Sequence, residues 1–157
     1  MTRGKTLAEL AIGDVAQMTR TLTPELVTSF VTLSGDRNPI HRDPQFAAST
    51  GFGECIAPGM LTAALIAAVI GTELPGPGCV YLSQSLKFLR PVKLDDTITA
   101  RVEVVEIVHD RRRVCLRTQC VNARGGSVPV GEAWVMPPRA ALPHSRPADD
   151  APFARAA

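Results

Sequence analysis

The sequence predicts an α+β fold in which a curved antiparallel sheet wraps one central apolar helix, and three observations predict it. The segment "MLTAALIAAVIG" is apolar nearly all the way round, so a helix there cannot lie on a surface and has to be enclosed. Four segments of strand character follow it, separated by short turn-forming stretches that suit antiparallel pairing. The 157 residues are enough for one core and too few for two ordinary domains.

The elements follow in chain order. Residues 14–21, "DVAQMTRT", alternate loosely and read as a strand. Thr23 offers an N-cap with Pro24 at the first helical position, and Leu26, Val27, Phe30, Val31 and Leu33 recur at helical spacing. That helix ends near Ser34-Gly35, where glycine suits the cap and Pro39 drives Asn38 out of the helical region. Asp43-Pro44 repeats the cap-plus-proline signal and opens a short helix over 44–50, which "GFGE" breaks. The central helix runs from Gly59 to about residue 73. Strands are expected over 79–90, 97–109, 113–123 and 127–136, joined at "PVKLDD", "HDRR" and "ARGG" as a meander. One sheet curled on one helix leaves an edge and an open face, which a homodimer would close.

Composition narrows the function classes. A net charge of +2 with scattered Lys and Arg builds no continuous basic face for nucleic acid or an anionic membrane. The Arg111–Arg113 cluster reads as a solvated hairpin turn, with an anion contact as its alternative. The N-terminus lacks the apolar core of a secretory signal and the longest apolar run is about half a membrane span, so a cytoplasmic location is expected. Cys55, Cys79, Cys115 and Cys120 form no CxxC pair and have no histidine at metal-ligand spacing; they read as small buried hydrophobes, with no metal site. The folded domain is expected over 1–137, and 138–157, rich in Pro and Ala and containing His144, reads as a disordered tail.

The stretch "SGDRNPIHRDPQF", residues 34–46, concentrates polar chemistry. A turn and a helix cap account for much of it, and Asp43 is best read as that cap. Asp36 and His41, however, flank the rigid Asn38-Pro39 element, which can hold an acid and an imidazole toward one pocket. "IAPGM" places Gly59 at the start of the central helix, where free N–H groups and the helix dipole favour developing negative charge.

The segments "FVTLSGDRNPIHRDPQFAAST", "IAPGMLTAALIA" and "YLSQSLKFLRPVKLDDTITARVEV" together resemble the (R)-specific enoyl-CoA hydratases of the MaoC-like dehydratase family, in order and spacing, over about residues 12–136. The resemblance implies the hot-dog fold, a homodimer or higher homo-oligomer with the active site near the interface, and an acyl-CoA substrate. It implies addition of water to a trans-2-enoyl-CoA to give an (R)-3-hydroxyacyl-CoA, for polyester storage in some similar proteins and fatty-acid breakdown in others. By position, Asp36 and His41 match the family's catalytic pair, with Asp36 the main base and His41 its partner, an order that stays open. Gly59 matches the backbone donor to the thioester carbonyl, and Asn38 supports the loop or the water. Where relatives often carry "HGM" this chain has "PGM"; Pro58 leaves the Gly59 N–H in place but removes an imidazole.

Leu65, Ile66, Val69 and Ile70 are candidates for the acyl pocket, although an apolar position on this helix is more often core than substrate contact. Lys87, Arg90 and Arg111–Arg113 are candidates for the coenzyme A phosphates. No metal or redox cofactor is expected, since side chains suffice for the proton transfers. Two other readings stand beside the hydratase: a hot-dog thioesterase, which would place a carboxylate on or near the central helix, and a non-catalytic acyl-thioester-binding module.

Overall fold

The computed structural model describes residues 3–140. In chain order, β1 (Val15–Thr21) is followed by α1 (Pro24–Ser34), α2 (Pro44–Ala48) and α3 (Gly59–Thr72). Then come β2 (Val80–Phe88), β3 (Thr97–Val108), β4 (Arg113–Asn122) and β5 (Ser127–Met136). A tighter turn of helix, Pro39–His41, lies between α1 and α2.

Local chemistry sets the helix ends. The Thr23 hydroxyl accepts from the Leu26 N–H at the start of α1, and Gly35 closes it in the left-handed region at φ 74°. The Asp43 carboxylate accepts from the N–H groups of both Gln45 and Phe46, so the second acid of the polar stretch is spent on capping α2. Val27 and Val31 of α1 are buried, but Leu33, in register with Leu26 and Phe30 and turned away from Val31, is 88% exposed.

The sheet has the order β1-β3-β4-β5-β2, every neighbouring pair antiparallel. The expected meander therefore holds for β3, β4 and β5 and fails for β2, which pairs with β5. The connector after β2 is drawn instead to the segment ahead of α3: the Ala57 N–H donates to the Val92 carbonyl at 2.8 Å, and Ile56 bridges to Lys93. These bonds carry the chain across the end of the helix rather than back along β2.

α3 packs chiefly on β3. Ile98, Ala100, Val102 and Val104 point inward from β3 at period two, and Leu61, Leu65, Ile66, Val69 and Ile70 meet the core from the helix, all buried. Full burial stabilises each Val, Leu or Ile side chain among them by about 1.5–3 kcal/mol. The enclosure is one-sided, because Met60, Ala64, Ala67 and Gly71 remain exposed on the opposite face of α3. Strand β2 is exposed along almost its whole length, Val80, Tyr81 and Leu82 included.

Pro138, placed by the sequence reading in the tail, belongs to the fold: it is buried against Gly4 and Gly78. The rest of the expected tail from residue 141, with His144, lies outside the described residues. No helix among the described residues is long and apolar enough to cross a membrane.

Candidate active site

The loop between α1 and α2 brings Asp36 and His41 together. Asp36 Oδ1 accepts from the Asn38 N–H at 3.0 Å, while its Oδ2 stands 3.5 Å from His41 Nε2. Asn38 in turn uses its side-chain oxygen to cap the Pro39–His41 turn, accepting from the Ile40 N–H at 3.2 Å. Asn38 thus holds the loop through both its main chain and its side chain, and the loop aims one carboxylate oxygen at one ring nitrogen. The imidazole is 10% exposed and the carboxylate 38%, so the pair is open to solvent from the Asp36 side.

The other ring nitrogen is fixed from behind. His41 Nδ1 lies 2.7 Å from the Ile56 carbonyl, which can only accept, so Nδ1 carries a hydrogen and Nε2 is the nitrogen left for chemistry. Ile56 also donates its own N–H to the Ile40 carbonyl at 3.3 Å. The Asp36–His41 loop and the segment entering α3 are laced together, and a Lys93–Glu54 ion pair flanks that segment on the surface.

Three residues after Ile56, Gly59 opens α3 behind Pro58. Its N–H has no acceptor within the helix, as for any first-turn amide, and the positive end of the helix dipole points the same way. Gly59 and Ile56 lie on the wall of a cavity of about 270 Å³ with Phe52, Thr62, Phe88 and Val128. Asp36 and His41 are not on this wall; His41 reaches it through the Ile56 carbonyl.

The remaining candidates divide. Leu65, Ile66, Val69 and Ile70 are packed into the core and do not line the cavity, to which α3 contributes only Gly59 and Thr62. Arg90 does line it and is steadied by an Nη1 bond to the Ser127 carbonyl at 2.9 Å. Lys87 is exposed on β2. Arg111–Arg113 span the β3–β4 turn, whereas Val128 follows the β4–β5 turn, so the ten residues of β4, about 30 Å of strand, separate the cluster from the cavity within the chain. α3 has no carboxylate from Gly59 to Thr72, the position a hot-dog thioesterase would use. Burial alone pushes the thiols of Cys79 and Cys120 up to about 12, which leaves them unsuited to act as nucleophiles.

Two groups beside the candidate residues escaped the sequence reading. The Ile56 carbonyl is a main-chain group, invisible to any search by residue type. Phe88 looked like an ordinary strand residue, and only its place at the end of β2 beside "LRP" marks it.

A family model described as MaoC like domain matches residues 10–124. An (R)-specific enoyl-CoA hydratase of Rhodospirillum rubrum is 45% identical over 126 residues, covering 80% of this chain and 87% of that protein. A 3-hydroxybutyryl-CoA dehydratase of Methylorubrum extorquens is 44% identical over 132 residues, 83% of each chain. The solved structure of the R-hydratase PhaJ1 from Pseudomonas aeruginosa, unliganded, superposes with a TM-score of 0.85 at 42% identity, covering 93% of this chain and 96% of that one. The wrapped helix and five-stranded curved sheet are those of the hot-dog fold.

Proposed function

Because the chain belongs to the family of MaoC-like domains, enzymes of the hydro-lyase class, we propose that it adds water to a trans-2-enoyl-CoA to form an (R)-3-hydroxyacyl-CoA. The observation that carries this reading is the aimed pair: one oxygen of Asp36 facing Nε2 of His41, with Nδ1 engaged by the Ile56 carbonyl. A binding module has no use for two such groups held by their own loop.

Hydration needs a proton taken from water as its oxygen attacks C3, a proton delivered to C2, and stabilisation of the negative charge that passes through the thioester oxygen. Asp36 is the base, and His41 holds the water with it and handles the proton through Nε2. The Gly59 N–H donates to the thioester oxygen, where Pro58 leaves that donor untouched. Each proton removed from water is matched by one delivered to carbon, so the step needs no oxidant or reductant and these side chains suffice for the proton transfers.

The acyl thioester enters the cavity beside Gly59, and Arg90 on its wall meets an anionic group of the substrate. The homodimer is supported by two unpartnered features of the single chain, the exposed apolar strand β2 and the open face of α3. A second copy would cover both.

Purified protein mixed with crotonyl-CoA should remove the enoyl-thioester absorbance and yield the (R)-3-hydroxy ester by chiral chromatography. Release of free coenzyme A thiol without a hydration product would transfer the assignment to thioester hydrolysis. Saturable binding without turnover of any enoyl ester would transfer it to a binding module.

A further inference from the structure

Gly59 has a neighbour with no part in the chemistry above. A side chain beginning at position 59 would place its Cβ 3.0 Å from Phe88 Cε1, 3.2 Å from Cδ1 and 3.4 Å from Cζ, tighter than or at the limit of ordinary carbon contact. The ring of Phe88 therefore lies on the one residue of the first turn of α3 that has no side chain to push it away. It is also held from behind. Phe88 ends β2 opposite Pro129, and the next residue, Leu89, donates its N–H to the Val128 carbonyl at 2.7 Å. Although Phe88 is 48% exposed, its ring forms part of the cavity wall together with Gly59, Thr62 and Val128.

This placement matters because of what flanks a thioester carbonyl. If the Gly59 N–H binds the carbonyl oxygen, the two atoms attached to the carbonyl carbon, the sulfur and C2, are brought beside the Gly59 main chain. The sulfur carries the same unbranched arm in every substrate of the class. C2 is the variable atom, bearing either hydrogen or a branch.

We propose that Phe88 is a specificity-determining residue: its ring, packed on Gly59, takes up the width that a substituent on C2 would need, so the site admits 2-enoyl thioesters unbranched at C2 and rejects their 2-methyl counterparts. The inference rests on the hydratase reading and on Gly59 as the carbonyl donor. It adds a substrate class that neither of them supplies. One methyl group excluded or admitted by an apolar wall changes relative rates by about 10–200-fold.

The test compares crotonyl-CoA with (E)-2-methylbut-2-enoyl-CoA on wild type, Phe88→Ala and Phe88→Tyr, with circular dichroism to establish that each variant is folded. Comparing ratios across variants removes the lower intrinsic reactivity of the branched ester. Phe88→Ala should raise kcat/KM for the branched ester relative to crotonyl-CoA by about tenfold or more, whereas Phe88→Tyr, which keeps the ring, should hold the wild-type ratio. An unchanged ratio in a folded, active Phe88→Ala, or equal losses on both esters, overturns the assignment and leaves the hydratase reading standing. A wild-type protein that hydrates neither ester overturns both.

Discussion

His41 Nδ1 lies 2.7 Å from the carbonyl oxygen of Ile56, fifteen positions further along the chain, and this contact fixes which nitrogen of the ring can do chemistry. Nitrogen-15 correlation spectra at neutral pH should show the hydrogen on Nδ1 of His41. A ring with Nδ1 bare would contradict the orientation on which the proposed role of Nε2 depends.

The two members of the pair should fail differently when removed. His41→Ala strips the Ile56 carbonyl of its donor in a mostly buried place, which costs about 1–3 kcal/mol and should lower Tm as well as activity. Asp36→Asn keeps an acceptor for the Asn38 N–H on a side chain 38% exposed, so its Tm should stay near wild type. Its kcat on crotonyl-CoA should nonetheless fall by about 10²–10⁴-fold. Thermal melts run beside enoyl-absorbance assays separate these outcomes, and a fully active, folded Asp36→Asn would remove Asp36 from the site.

Leu65 illustrates why an apolar helix position is ambiguous in sequence. The sequence admits it as pocket and favours it as core, and here it is 4% exposed and packed in the core, off the cavity wall. Leu65→Ala should therefore cost about 2–5 kcal/mol of stability, seen as a lower urea midpoint. The relative kcat/KM values for four-, six- and eight-carbon enoyl esters should move little. A changed chain-length profile with unchanged stability would place Leu65 in the acyl pocket after all.

What the sequence makes legible is what one stretch of chain decides by itself. Thr23-Pro24, Gly35 and Asp43-Pro44 set helix ends through bonds to residues two to four positions away, and the bounds follow closely. Asp36 and His41 stand five positions apart in one turn, so their meeting is also readable. The strand order was not. The connector 89–96 is too short for a parallel crossover and so suits an antiparallel return, and nothing in its residues announces that Val92 will bind Ala57 and send β2 to the far edge beside β5. Leu33 follows Leu26 and Phe30 at helical spacing yet faces outward, because it stands two positions past the buried Val31, on nearly the opposite side of the helix, and periodicity locates a stripe without fixing its width. The same limit hid Phe88, whose contact with Gly59 exists only once β2 is brought across the first turn of α3.

Two thiols, half-buried Cys79 and buried Cys120, give the protein an alkaline limit. Burial holds Cys79 and Cys120 at about 12 in the folded chain, against about 8.5 in an unfolded one. Folding thus favours the neutral thiol. That contribution is present in full below about pH 8.5 and is lost as pH rises from there towards 12, since the unfolded chain releases protons that the folded chain retains. The urea midpoint should decline between pH 8 and 10.5, and more gently in Cys79→Ala and Cys120→Ala. Tyr81, also pushed up to about 12, chiefly by burial and in part by Cys79, adds a slope of the same sign that Cys120→Ala keeps in full and Cys79→Ala keeps only in its burial part. Equal slopes in wild type and variants would show that the thiols do not contribute.

Gly59 can be tested without touching its N–H. Gly59→Ala keeps the donor, so a site that required only the amide would accept it at little cost. The added methyl, however, begins 3.0 Å from the Phe88 ring, and either the ring or the first turn of α3 has to yield by a few tenths of an ångström. Displacement of that order at an oxyanion donor is expected to lower kcat on crotonyl-CoA by about tenfold or more. Phe88→Ala opens the space, so Gly59→Ala combined with Phe88→Ala should recover a large part of the loss, with an interaction energy of about 0.5–3 kcal/mol in the double-mutant cycle. Additive losses would mean that position 59 is restricted for a reason other than this ring. Full activity in Gly59→Ala alone would show that the ring yields without disturbing the donor.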